Sequence, residues 1–153
     1  MAVLLVRHAV ALARRKWHGP DEERPLTPRG ALQGERLPEA LAGYEIDRIF
    51  TSPSVRCVDT VAPLAKVRRL DVEPTRDLAE GSTHLALALV RAHATIPACM
   101  CSHGDVIPWV LSELRQRDGL DLGDDPKCAK GSTWVLEFDG GRCTSAAYVP
   151  PSD

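Results

Sequence analysis

The chain has 153 residues, 44% of them hydrophobic and 26% charged, the size of one domain with its own core and a composition close to the globular average. That excludes a disulfide-stapled miniprotein, a collagen, a coiled coil and a disordered chain. Nineteen Lys and Arg against twenty-one Asp and Glu leave a formal net charge of −2, without the basic excess on which nucleic-acid binding draws, so any anion site is local.

Residues 3–6 are a continuous apolar run and read as a strand buried on both faces. Arg7 and His8 end it and also disqualify the N-terminus as a signal-peptide core. Residues 9–26 show little amphipathic period and carry Arg14, Arg15, Lys16, Trp17 and His18, then Asp21, Glu22, Glu23 and Arg24; a stretch this long without regular structure is usually functional or mobile. Thr27-Pro28 is a cap followed by proline at the first helical position. It opens a helix expected to turn Leu32, Leu37 and Leu41 to the core, with Pro38 kinking it or ending it early.

Residues 48–51 form a short strand, and Ser52-Pro53 repeats the cap-plus-proline start for a helix with Val55, Val58, Val61 and Ala62 on one stripe. A short strand at 71–73, an irregular stretch at 77–81 and an apolar helix at 83–94 follow. Residues 98–102 are the next buried strand, running into His103-Gly104-Asp105 and a helix with Ile107, Val110, Leu111 and Leu114 at helical spacing. Trp134, Leu136 and Phe138 alternate on one face of a strand, Asp139-Gly140-Gly141 is a turn, and residues 143–149 pair back as a hairpin.

Strands alternating with helices predict a single α/β domain over residues 1–153, a three-layer αβα arrangement of a mostly parallel sheet with a C-terminal antiparallel hairpin. No apolar run approaches the roughly 20 residues of a membrane span. Cys57, Cys99, Cys101, Cys128 and Cys143 lack zinc-ligand or disulfide-framework spacing and read as reduced thiols, so a cytoplasmic protein is expected. Histidines and carboxylates show no metal-ligand grouping, and no metal or cofactor is expected.

In such sheets ligands bind beyond the carboxyl ends of the strands. Three groups fall at that rim: Arg7-His8, residues 52–56 with Arg56, and His103-Gly104. Each alone has an ordinary structural explanation as a surface pair, a helix charge or a turn. Together, two arginines and two histidines beside helix N-termini make a compact cationic pocket suited to a phosphoryl dianion. Arg15, Lys16, His18 and Arg24, with Trp17, are candidates for substrate contacts at the mouth, against the alternative of a solvated charge run. Thr27 and Arg29 are ambiguous in the same way. His84 and His93 read as structural, and Trp134 as hairpin core.

Leu5-Val6-Arg7-His8-Ala9, Arg24-Pro25-Leu26-Thr27-Pro28-Arg29-Gly30, Thr51-Ser52-Pro53-Ser54-Val55-Arg56-Cys57 with Thr60, and Ser102-His103-Gly104 resemble, in order, the histidine phosphatase (phosphoglycerate mutase-like) superfamily over essentially the whole chain. In shortness the chain is similar to the small SixA-type phosphohistidine phosphatases. Residues 130–136 and Cys101-Ser102-His103-Gly104-x-x-Ile107-Pro108 look closer to the phosphatase-like domain fused to MutT-type Nudix hydrolases. No Nudix box is present, so that kinship implies a stand-alone domain or a piece of a longer protein.

The resemblance implies that His8 attacks phosphorus and carries a covalent phosphohistidine, which water hydrolyses. Positive neighbours Arg7, Arg56 and, when charged, His103 are expected to keep His8 neutral and to hold the phosphoryl oxygens, while a carbonyl on its other nitrogen fixes the tautomer. The general acid is Glu80 by preference, with Asp105 as second candidate, although Asp105 also suits the cap of the following helix. The implied substrates are a phosphohistidine protein or a small phosphomonoester. The rival reading is a weakly catalytic or non-catalytic module partnering a Nudix-type nucleotide hydrolase.

Overall fold

The computed structural model describes Met1–Asp153. Strand β1 (Ala2–Arg7) is flanked on one side by β4 (Ala98–Ser102), parallel to it, and on the other by β5 (Thr133–Asp139), antiparallel. Beyond β4 lie β2 (Arg48–Thr51) and β3 (Val72–Pro74), both parallel, and β6 (Arg142–Val149) closes the other edge as the hairpin partner of β5. The resulting order is β3-β2-β4-β1-β5-β6.

Two cores flank this sheet, because successive side chains of a strand point to opposite faces. Val3 and Leu5 of β1 pack with Met100 and with helices α3 (Thr83–Ala92) and α4 (Val106–Asp118), whose Ile107, Val110, Leu111 and Leu114 are all buried. Trp134, Leu136 and Phe138 belong to this same core. Leu4 and Val6 face the other way, onto Leu37, Val61 and Leu64 of α1 (Pro28–Ala40) and α2 (Val55–Arg68). The sheet is thus sandwiched between helix pairs, the αβα arrangement expected from the alternation of elements. No helix is long and apolar enough to cross a membrane, and all five cysteines are free thiols.

In the two helices of the second core Leu37 and Val61, and Leu41 at the C-cap of α1, face inward as expected, and other expected positions do not. Leu32 of α1 is 43% exposed, and the buried positions are Gly30, Gln33, Gly34 and Leu37. The reason is close backbone approach: a Cβ on Gly30 would stand 1.9 Å from the Val10 carbonyl oxygen, and one on Gly34 3.1 Å from that of Thr60. Small residues therefore set the contact face. Thr27 caps the helix by accepting from the Gly30 amide at 3.1 Å, and the helix runs through Pro38 to Ala40. In α2, Cys57, Val61, Leu64 and Ala65 are buried, while Ala62 is exposed and Val55 and Val58 are half-buried. The helix starts at Val55 rather than directly after Ser52, and its inward face also carries Arg56 and Thr60.

Candidate active site

His8 follows β1, and its amide donates to the Ser102 carbonyl at the end of β4 at 3.1 Å. Its side chain is buried. Nδ1 lies 2.7 Å from the Ala9 carbonyl oxygen, an acceptor only, so the ring proton resides on Nδ1 and Nε2 keeps its lone pair. The backbone is held in turn: the Ala9 amide donates to Thr60 Oγ1 at 2.9 Å, and that hydroxyl donates to the Arg56 carbonyl at 2.6 Å. Thr60 thereby ties the loop after β1 to the helix that bears Arg56.

Burial is the main cause that pulls the His8 imidazole down from 6.5 to about 3. The Ala9 carbonyl opposes this, and electrostatic repulsion from His103, Arg56 and Arg7 adds to it. The expected direction holds, but the leading cause is desolvation of the charged form rather than the cationic neighbours.

His103, at the end of β4, is 2% exposed. Its Nε2 lies 2.8 Å from Ser52 Oγ; a serine hydroxyl donating there puts the ring proton on Nδ1. That Nδ1 is buried without a hydrogen-bond partner and lies 3.5 Å from Glu80 Oε1. Arg7 Nη1 donates to the Cys128 carbonyl at 2.6 Å, and its Nε is also buried and unpaired. The Arg7 guanidinium lies flat against Gly104, where a Cβ would come within 2.6 Å of Cζ.

Arg56 is 1% exposed. Nη1 donates to the Asp21 carbonyl at 2.8 Å, Nη2 donates to Asp21 Oδ2 at 3.2 Å and also to Glu80 Oε1, and Nε is the third buried donor without a partner. Glu80 additionally accepts from Arg14 Nη2 at 3.2 and 3.3 Å. Asp105 does not cap α4 with its side chain; its Oδ2 instead accepts from the Gly81 amide at 2.9 Å, which anchors the backbone beside Glu80.

Arg7, His8, Glu80, His103, Gly104 and Asp105 share the walls of a cavity of about 470 Å³; Arg56 is not on that wall but stands behind it, joined to it through Glu80. Arg14, Arg24 and Lys130 line the cavity as well. Of the loop residues expected at the mouth, Arg24 is thus on the wall, though 7% exposed and engaged with Asp21 and the Leu12 carbonyl. Arg15, Lys16 and His18 are exposed and stand outside the cavity lining. The reason is local: Arg14–Lys16 form a single 3-10 turn, which can aim only one of three successive side chains at the opening, and Arg14 is that one. Lys130 had no signal beyond its place in the 130–136 motif. Gly131 beside it, at φ +84°, donates its amide to the Arg7 and His8 carbonyls, both at 3.1 Å. His84 packs beside Trp109 and His93 against Phe50, away from the cavity.

The sequence pattern of the histidine phosphatase superfamily (branch 1) matches residues 3–86, more than half the chain. The chain belongs to that superfamily. This histidine phosphatase domain is 32% identical over 158 residues to an 8-oxo-(d)GTP phosphatase of Mycolicibacterium smegmatis, the match taking in 99% of this chain and 48% of the relative. The domain therefore spans about half the length of that curated relative. Among solved structures it is similar to the protein histidine phosphatase SixA complexed with tungstate, with TM-score 0.78 and 20% identity over 100% of this chain and 97% of the other. It is similar also to the α-ribazole phosphatase of Shigella flexneri, with TM-score 0.70 and 14% identity over 94% of each chain. At those identities the likeness is one of fold, and the fold is the phosphoglycerate mutase-like one.

Proposed function

We propose that this histidine phosphatase domain hydrolyses phosphorylated substrates through a covalent phosphohistidine on His8. The observation that carries the reading is the set of three buried donors without partners, Arg7 Nε, Arg56 Nε and His103 Nδ1, grouped around a neutral imidazole whose free nitrogen is Nε2. An unsatisfied buried donor costs about 1–3 kcal/mol, more for a charged group. Three at one site make sense if an anionic oxygen cluster completes them.

In the first step the Nε2 lone pair forms a bond to phosphorus as the bond to the leaving atom breaks. The phosphoryl oxygens are held by Arg7, Arg56 and His103, whose charge-assisted bonds strengthen as charge develops. A leaving alkoxide takes a proton from Glu80. Water then attacks the phosphohistidine, gives a proton to the Glu80 carboxylate, and releases phosphate with His8 restored. Glu80 is preferred over Asp105 because it borders His103 and Arg56, the groups that take the phosphoryl oxygens, so a bound anion draws Arg56 away from it and leaves its carboxyl to carry the proton, whereas Asp105 Oδ2 stays on the Gly81 amide.

A phosphohistidine protein and a small phosphomonoester both fit this chemistry, since imidazole leaves with less acid assistance than an alkoxide. The kinship with a longer protein named for a nucleotide substrate favours one further role, a module acting beside a Nudix-type nucleotide hydrolase. The test is a panel of phosphodonors, a phosphorylated histidine protein, nucleotides and sugar phosphates, offered to wild type and His8→Ala. Turnover with an acid-labile phosphoenzyme in wild type only is expected. Turnover that survives in His8→Ala overturns the covalent mechanism, and a wild type inert to every donor favours the module.

A further inference from the structure

Arg56 reaches the reaction centre from α2, but its orientation is decided elsewhere. Asp21, in the 3-10 turn Asp21–Glu23 of the mouth loop, takes hold of the guanidinium at two points. Its backbone carbonyl accepts from Nη1 at 2.8 Å and its carboxylate Oδ2 from Nη2 at 3.2 Å. A guanidinium is a planar, rigid fork. Fixing both terminal nitrogens fixes the plane, and with it the direction of the unpaired Nε and of the Nη2 proton that goes to Glu80.

The Asp21 carboxylate is itself prevented from turning. Its Oδ1 accepts from Arg24 Nε at 3.0 Å, and Arg24 Nη1 donates to the Leu12 carbonyl at 2.7 Å. Arg24 is thus a strut, which accounts for its burial better than a substrate contact would. Arg14 Nε lies 3.9 Å from the same Oδ1, so three arginines meet at one carboxylate.

We infer that Asp21 is a positioning residue for the phosphatase reaction: through a two-point grip on Arg56, braced by Arg24, it aims the guanidinium edge that binds the phosphoryl group. This rests on the phosphatase reading, and no contact of Asp21 with substrate is involved. Asp21 presents a half-exposed side chain on a surface turn, so its replacement leaves the two cores intact. Asp21→Asn keeps the shape but turns one carboxylate oxygen into a donor facing another donor.

Three measurements on the full chain test it. In Asp21→Asn, kcat/KM for a small aryl phosphate falls about tenfold to a hundredfold, the scale of a misplaced catalytic group, with the thermal midpoint shifted little. In an Arg56→Lys background, where the fork is already lost, Asp21→Asn costs little further, because the two residues act as one unit. The Arg56 Nε–H resonance in ¹⁵N relaxation is rigid in wild type and mobile in Asp21→Asn. An unchanged Arg56 signal overturns the inference whether or not the protein turns over substrate. Wild-type kcat/KM in Asp21→Asn, or an undiminished further loss on top of Arg56→Lys, also overturns it. An inert wild type with the expected change in the Arg56 resonance overturns only the phosphatase reading.

Discussion

His8 and His103 stand edge to face with ring centroids 5.5 Å apart and planes at 66°. The two imidazoles do different work because their partners differ. The Ala9 carbonyl on Nδ1 of His8 leaves Nε2 as a lone-pair donor, whereas Ser52 takes up Nε2 of His103 and Nδ1 is the buried nitrogen without a partner. On the proposed mechanism, replacing His103 by Ala removes one donor to the phosphoryl group. Turnover should fall about a hundredfold to a thousandfold. Ser52→Ala removes the orienting bond to His103, worth about 1 kcal/mol, together with long contacts to the Ser54 amide and hydroxyl at 3.4 and 3.5 Å, and should cost about fivefold to tenfold. Steady-state kinetics of both variants on one substrate check the order.

The pH dependence follows from a His8 held near 3 in the fold against 6.5 for an unperturbed histidine. Above about pH 3 the folded His8 is neutral, so kcat/KM should show no loss of nucleophile from this group as pH falls through 6.5. Stability behaves differently. Below 6.5 the unfolded chain takes up a proton that the folded chain refuses, so unfolding is favoured progressively as pH falls from 6.5 toward 3. Denaturant titrations between pH 7 and 5 should show this slope in wild type and a shallower one in His8→Asn. An equal slope in both would contradict the buried neutral imidazole.

Gly104 and Gly30 predict opposite kinds of damage. A methyl at Gly104 would meet the far end of the Arg7 side chain at 2.6 Å, which can move aside. Gly104→Ala should fold normally and lose at least about tenfold in kcat/KM, because the displaced guanidinium no longer aims at the anion. A methyl at Gly30 meets the Val10 backbone oxygen at 1.9 Å, which cannot yield without shifting α1. Gly30→Ala should lose about 1–3 kcal/mol of stability or more. Thermal melts alongside kinetics separate the two cases.

Glu80→Gln divides the substrates. An alkoxide leaving group needs the carboxyl proton, whereas the imidazole of a phosphohistidine departs with less help. The variant should therefore be crippled on phosphomonoesters and largely competent on a phosphoramidate. Parallel assays on the two substrates decide it, and an equal loss on both would remove Glu80 from the role of acid.

Much of the architecture was legible in the one-dimensional pattern, because the interactions that set it are local. Apolar runs at 3–6 and 98–102 became the two central parallel strands. The Thr27-Pro28 cap opened α1 where expected, and the spacing of Ile107, Val110, Leu111 and Leu114 marked the buried face of α4. The rule that ligands gather beyond strand ends was enough to bring Arg7, His8, Arg56 and His103 to one rim. The leucine and valine stripes of α1 and α2 were right at Leu37, Leu41 and Val61; what the pattern could not carry was the exposure of Leu32 and Ala62 and the close backbone approaches at Gly30 and Gly34 that share the inner face of α1.

Nor could it say which charges of the mouth loop turn inward. Arg14, Arg15 and Lys16 are equivalent as letters, and only the path of the 3-10 turn selects Arg14 for the cavity. The grip of Asp21 on Arg56, and the approach of Glu80 to both Arg56 and His103, join segments distant along the chain. Sequence by itself determined the strands, the helices and the chemical types at the rim, since propensity, capping and periodicity act over a few residues. Only the tertiary structure decided which charged side chains meet, since an ion pair depends on where the loops return in space and has no period to betray it.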